Sequence, residues 1–255
     1  MKNKIKEFCF NLGIEYTGIT KWEDKTAIVM LFPYYTQKND SANISLYCYS
    51  YDYHKIIQKY LNSISEFLKN EYKAEIYGKY SDISPYKDID LATRAGLGIK
   101  GRNNLLINEK YGSFVFIGYI ITNLDIEEDL PLKKTCLMCG KCLDSCPSGC
   151  LNDNNYSVCL SHITQKKGEL TSDEQNLLKK SNLIFGCDIC QLVCPMNTFK
   201  VTPLKEFKDN HIYVINKTML QGLSNKRFKE LYSDRAFAWR GKNILLRNID
   251  IISHE

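Results

Sequence analysis

No stretch of this 255-residue chain approaches the roughly 20 consecutive apolar residues that a membrane helix needs. A membrane-spanning helix is therefore not expected. The N-terminus from Met1 to Cys9 is basic, but no apolar core or small-residue cleavage site follows it. A secretory leader is thus not expected, and a cytoplasmic location is. The chain also lacks a low-complexity tract and any internal repeat beyond two related cysteine motifs. Nor is there a large excess of charge of one sign. Residues 1–199 carry twenty-three basic and twenty-three acidic side chains, and the formal +5 arises wholly within 200–255, where eleven Lys/Arg face six Asp/Glu. That segment is a candidate for a polyanionic partner such as RNA, although a basic solvated helix face has the same composition.

Cysteine is what the chain has in quantity. Nine of its eleven cysteines lie between Cys136 and Cys194. Disulfide-dense chains are usually small and exported, so in a chain of this length metal binding is the better account. Cys136-x-x-Cys139-x-x-Cys142-x-x-x-Cys146-Pro147 is the ferredoxin-type run, in which three thiolates wrap one 4Fe–4S cluster and the fourth serves the other. A second set follows, with Cys159 displaced upstream of Cys187-x-x-Cys190-x-x-x-Cys194-Pro195. The ferredoxin cross-over assigns Cys136, Cys139, Cys142 and Cys194 to one cluster and Cys146, Cys159, Cys187 and Cys190 to the other. Zinc is the rival, since paired Cys-x-x-Cys units suit a tetrahedral site. It gives no reason for the 2-2-3 spacing or for the Cys-Pro that closes both motifs. Cys9, on an apolar helix face, and Cys150, after the Cys-Pro turn, are expected to be structural.

Periodicity organises the rest. Helices are expected over residues 2–12 and 52–72, and strands over 14–19, 27–32, 74–77 and 114–121. A turn is expected at Ser81–Pro85, a linker at Glu127–Pro131, and helices at 220–232 and 236–252. The expected fold is α+β: an N-terminal α/β layered domain (1–130), a ferredoxin-like double-cluster module (131–199) and a basic helical segment (200–255). A bare two-cluster ferredoxin needs only a few tens of residues, so the clusters are expected to feed another centre.

Six stretches carry a resemblance to a known family. They are Asp52-Tyr53-His54-Lys55; Ser81-Asp82-Ile83-Ser84-Pro85; residues 94–103 with Gly96-x-Gly98-x-x-Gly101-Arg102; Gly112–Gly118; Cys159–Gln165; and Gly186–Pro195. In combination they resemble the epoxyqueuosine reductases, cobalamin-dependent iron–sulfur enzymes of tRNA queuosine synthesis. The resemblance implies base-off cobalamin between the N-terminal domain and the clusters. Electrons then pass through two 4Fe–4S clusters to cobalt, supplied by an external donor such as ferredoxin or flavodoxin. It also implies tRNA as substrate and Asp82 as proton donor. A carboxylic acid against an apolar corrin face would be kept protonated by desolvation. Without the resemblance, Asp82 reads as an Asx-type turn residue.

Tyr53, His54, Gly96, Gly98, Gly101 and Arg102 are expected at the corrin. The glycines would allow close backbone approach to a large planar ligand. Two departures from the family pattern stand out. Only seven residues separate Ile19 from Ala27, where the family carries a longer segment, and the chain ends soon after Arg240–Asn248, which resembles the start of the family's helical repeats. A short monomeric form is expected. Two other functions compete: a corrinoid reductase of another substrate, as in reductive dehalogenases with Tyr80 as proton donor, and a non-catalytic iron–sulfur electron carrier.

Overall fold

A computed structural model describes residues 1–253, which divide into two compact units. The first comprises residues 1–36, 53–138 and 195–205; the second comprises 37–52, 139–194 and 206–253 of the described chain. The chain thus passes between the units several times, a division different from the three consecutive segments expected.

In the first unit, α1 (Lys2–Asn11) leads to a hairpin of β1 (Tyr16–Trp22) and β2 (Lys25–Pro33), followed by α2 (Tyr53–Tyr72), β3 (Ile76–Tyr80) and α3 (Asp88–Arg94). A two-stranded ribbon, β4 (Ile99–Lys100) and β5 (Leu106–Ile107), precedes β6 (Val115–Thr122). The four long strands form one antiparallel sheet in the order β1-β2-β6-β3. The short Ile19–Ala27 connection is the tip of the β1–β2 hairpin, where Trp22 pairs with Lys25 and Glu23 takes a positive φ of 55°.

Alternation along each strand sends neighbouring side chains to opposite faces. Ala27, Val29 and Leu31 of β2 and Tyr119 and Ile121 of β6 meet Leu91 and Ala92 of α3 and Ala95 just after it. On the opposite face α2 packs on β3 and β6, presenting Ile57, Leu61, Ile64 and Leu68, all fully buried. Phe67 of α2 stacks on Phe8 of α1 at 4.0 Å. Ile28, Met30 and Phe32 are also buried, so both faces of β2 are covered, and its apolar run is continuous for that reason.

Three expectations need correction. β1 begins at Tyr16 and not at Ile14, because the Ile14 amide bonds back to the Cys9 carbonyl and closes α1. β3 begins at Ile76 because the Ala74 amide bonds the Leu68 carbonyl at the end of α2. Glu127–Pro131 is no free linker. The Asp129 carboxylate accepts from the Ile19 amide at 2.9 Å and pairs with Lys2 and Lys6, while Glu128 accepts from Thr20 and the Lys21 amide.

The second unit contains α4 (Lys141–Asp144), α5 (Leu160–Gln165), α6 (Ser172–Ser181), α7 (Ile189–Leu192), α8 (Lys217–Leu220), α9 (Asn225–Tyr232) and α10 (Lys242–Ser253). A full capping box between Thr171 and Glu174 starts α6. The helix expected at 220–232 starts only at Asn225, with Ser224 capping it by accepting from the Arg227 amide, after Gly222 at φ +80° breaks the run. The one expected at 236–252 starts at Lys242, after Gly241 at φ +84°. Leu160, Ile163, Leu170 and Leu178 form this unit's core, with Ile251 and Ile252 against it. Asn248 is fully buried and donates to the Thr164 and Ile184 carbonyls.

Leu91 is fully buried on α3, which follows directly from the Asp82 loop. Leu91→Ala is expected to cost about 2–5 kcal/mol in urea unfolding. A loss below about 1 kcal/mol would mean that α3 contributes little to the sheet's packing.

Candidate active site and cysteine module

Asp82 lies on the loop between β3 and α3, and two side chains from the start of α2 reach it. The Tyr53 hydroxyl donates to Asp82 Oδ2 at 3.3 Å, and His54 Nε2 stands 3.1 Å from the same oxygen. The Tyr53 ring is sandwiched, 4.1 Å from Phe116 of β6 and 4.0 Å from His54. Of the sequence-predicted site residues, the structure therefore brings together Asp82, Tyr53 and His54. Asp82 and Tyr53 border an open cavity of about 210 Å³, lined on its apolar side by Ile89, Leu105, Leu106, Val115, Phe116 and Ile117, with Ser81, Asp88 and Ser113 among its polar groups. The Asp82 side chain remains 52% exposed at its mouth.

A second carboxylate shares the cavity. Asp88, the first residue of α3, receives the Tyr119 hydroxyl at 2.8 Å and the Ser84 hydroxyl at 3.0 Å. Burial raises its pKa above the ordinary carboxylate value, the bonds from Tyr119 and Ser84 oppose that, and nearby Asp82 adds to the rise. Sequence reasoning missed Asp88 and Tyr119. The signal was there, since alternation in β6 puts Tyr119 two and four positions from Ile117 and Val115 on the same face.

The glycines take a different place from the one expected. A Cβ on Gly96, at φ +72°, would stand 2.5 Å from the Leu130 carbonyl, and one on Gly98 would stand 2.7 Å from the Ile107 carbonyl. Protein carbonyls thus stand where a side chain at these two positions would begin, and Gly101 is buried within this loop. None of the three, nor the exposed Arg102, lines the cavity. Beside Arg102, Asn103 is buried with an amide nitrogen that has no hydrogen-bond partner. Tyr80, the alternative proton donor, is packed against Tyr119 and Tyr86 at ring-centroid distances of 5.3 and 5.6 Å and does not line the cavity either.

All eleven cysteines are free thiols. In the second unit Cys187 and Cys190 lie close to each other and to Cys146 and Cys159. Burial pushes the Cys187 thiol up to about 12, with Cys159 and Cys146 adding to the rise. Cys190 is raised by burial and then by Cys187 and Cys159. A thiol so raised ionises only when a cation compensates the charge. Cys9 and Cys150 are buried, as is Cys48, and Cys150 Sγ sits 3.6 Å from Cys146 Sγ. Asp188, between Cys187 and Cys190, is buried and accepts from Ser45 Oγ at 2.6 Å and the Leu46 amide at 2.7 Å. These bonds tie the 37–52 segment to the second cysteine motif.

An antiparallel sheet flanked by helices carries two carboxylates at one cavity, and the two-motif cysteine module is that of an iron–sulfur protein. Residues 135–197 match the 4Fe-4S double cluster binding domain, and residues 21–82 match the family model described as "Epoxyqueuosine reductase QueG, DUF1730". An epoxyqueuosine reductase of Cyclobacterium marinum is 33% identical over 244 residues, covering 91% of this chain and 77% of the relative. The chain belongs to the epoxyqueuosine reductase family. The Lactococcus garvieae relative is 36% identical over 203 residues, covering 78% of this chain and 57% of its own length. This chain spans between 52% and 57% of the length of that relative and those of Bacillus subtilis and Listeria monocytogenes.

Among solved structures, an epoxyqueuosine reductase crystallised with a tRNA-Tyr epoxyqueuosine-modified stem loop superposes with a TM-score of 0.87 at 25% identity, covering 98% of this chain and 80% of that one. A Bacillus subtilis epoxyqueuosine reductase, in which the loop of a catalytic aspartate is swung out of the active site, superposes with a TM-score of 0.84 at 25% identity, covering 98% and 80%.

Cys159→Ala is expected to lower the iron content of anaerobically reconstituted protein from about eight to about four per chain. Undiminished iron, or zinc in its place, would contradict the second ligand set.

Proposed function

We propose that this chain reduces epoxyqueuosine to queuosine in tRNA, with two 4Fe–4S clusters and cobalamin as cofactors and Asp82 as the proton donor. The observation that carries this reading is the Asp82 carboxylate, held by Tyr53 and His54 at the mouth of an apolar cavity. Family membership supports the substrate, as does the modified tRNA stem loop bound in the related structure.

The residues present fit both kinds of cofactor. Cys136, Cys139, Cys142 and Cys194 would hold one cluster, and Cys146, Cys159, Cys187 and Cys190 the other. Two of the second four, Cys187 and Cys190, are thiols whose ionisation needs a compensating cation. For cobalamin, the wall of Leu105, Leu106, Val115 and Ile117 suits part of a corrin face. The unpartnered Asn103 amide nitrogen suits one of the corrin's amide oxygens. When bound, the clusters and cobalamin together supply the two electrons that deoxygenate the epoxide.

The reaction breaks both epoxide C–O bonds and forms a C=C bond, and the oxygen leaves as water after taking up two protons. Asp82 supplies one of them. Covering the cavity withdraws water from its half-exposed carboxyl. His54 and Tyr53 orient that carboxyl and can return a proton to it. An external one-electron donor such as ferredoxin or flavodoxin replenishes the clusters. One chain carries every residue named, so a monomer suffices. The packed position of Tyr80 gives the dehalogenase-like alternative no support.

Part of the basic excess in 200–255 serves the fold. Arg235 is buried and donates to the Asn210 carbonyl at 2.6 Å, and Arg247 donates to the Lys166 and Gly168 carbonyls. The exposed Lys226, Lys229 and Arg227 of α9 are better placed for an RNA backbone.

Asp82→Asn, reconstituted with iron and cobalamin, is expected to retain the corrinoid absorption spectrum while turnover of epoxyqueuosine-containing tRNA falls about 10²–10⁴-fold. Full activity in the variant would remove Asp82 from the mechanism, and failure of the unmodified protein to bind cobalamin would remove both corrinoid readings.

A further inference from the structure

The Asp82 loop is held on two sides by different means. On the cavity side Tyr53 and His54 meet the carboxylate itself. Beneath the loop, the Tyr119 hydroxyl bonds both Ser84 Oγ and Asp88 Oδ1, and Ser84 Oγ donates to Asp88 while accepting from the Tyr86 amide at 3.0 Å. Tyr119 is fully buried in the middle of β6, paired with Val29 on one side and Tyr80 on the other. Its hydroxyl is therefore a fixed point of the sheet, whereas the loop above it is open to solvent, with Ile83 91% exposed. In the Bacillus subtilis relative, the corresponding kind of loop occurs swung out of the active site. A loop with two positions needs something that sets their balance.

We propose that Tyr119, acting through Ser84 and Asp88, is the positioning residue that sets the fraction of time Asp82 spends at Tyr53 and His54. The inference rests on Asp82 being the proton donor, but its structural half stands without that. Three oxygens from β6, the loop and the start of α3 meet in one triangle, and each end of the loop is represented. Ser84 is two residues after Asp82, and Asp88 is where the loop becomes helix. Removing the Tyr119 hydroxyl leaves Ser84 and Asp88 bonded to each other and to Tyr86 but no longer to the sheet, so the loop lifts at less cost. The ring is a separate matter. Tyr80 and Tyr86 pack against it through apolar contact, so Tyr119→Phe keeps the packing and removes only the latch.

The test is hydrogen exchange at the Tyr86 amide in iron-loaded protein without substrate, read beside tRNA turnover. Tyr119→Phe is expected to speed exchange at Tyr86 about tenfold or more, with the amides of β2 and β6 unchanged. Turnover should fall by a similar factor, since only the fraction with Asp82 in place is competent. Ser84→Ala should act in the same direction. Asp88→Asn, which keeps an acceptor for Tyr119, should retain more protection than Asp88→Ala. Unchanged exchange at Tyr86, exchange raised equally throughout β6, or faster loop exchange with undiminished turnover would each overturn the proposal. Absence of turnover in the unmodified protein would overturn the proposed reaction instead, and the exchange data would still decide the latch.

Discussion

Burial of β6 on both of its faces is the constraint on which the Asp82 site depends. One face presents Val115, Ile117, Tyr119 and Ile121 to α3, while α2 packs across the other. The start of α2 delivers Tyr53 and His54, and the start of α3 delivers Asp88 with the Asp82 loop before it. Phe116 and Tyr119 are three residues apart on one paired strand, so the extended backbone fixes their separation and sends them to opposite faces. Phe116 supports the Tyr53 ring and Tyr119 supports the loop, so one strand relates both halves of the site.

The cysteine module rests on a different balance. Its helices are short, α4 and α7 having only four residues each, and they supply little packing of their own. Burial and neighbouring thiols raise Cys187 and Cys190, which are unfavourable partners until a cation joins them. The order of the module is therefore coupled to the metal it holds. The Asp188 bonds to Ser45 and Leu46, and the Asn248 bonds to the Thr164 and Ile184 carbonyls, add protein contacts around it.

Where the pattern was strong, the sequence was legible. The cysteine spacing pointed to a double-cluster module, and the apolar runs at Ala27–Phe32 and Phe114–Ile121 lie within β2 and β6 almost entirely. Element ends were less legible, because single hydrogen bonds decide them, such as Ile14 to Cys9 or Ala74 to Leu68. The Glu127–Pro131 stretch looked like a linker on composition, since nothing local shows that Asp129 will bond Ile19 more than a hundred residues away. Of the candidate site, Asp82, Tyr53 and His54 were found through motif resemblance. Gly96 and Gly98, expected at the corrin, have the Leu130 and Ile107 carbonyls where a Cβ would stand. Asp88 and Tyr119 went unseen because a hydrogen-bonded triangle drawn from strand, loop and helix has no sequence period.

Joining the two units' chemistry into one reaction is the central claim: electrons from the clusters and a proton from Asp82 meet at one epoxide. It is tested most directly by the mass of the nucleoside. An epoxyqueuosine-bearing anticodon stem loop is incubated anaerobically with protein loaded with iron and cobalamin and with a low-potential reductant, then digested and weighed. The account predicts loss of the mass of one oxygen atom, dependent on both cobalamin and reductant. An unchanged epoxyqueuosine nucleoside, from protein shown to carry both clusters and cobalamin, would contradict it.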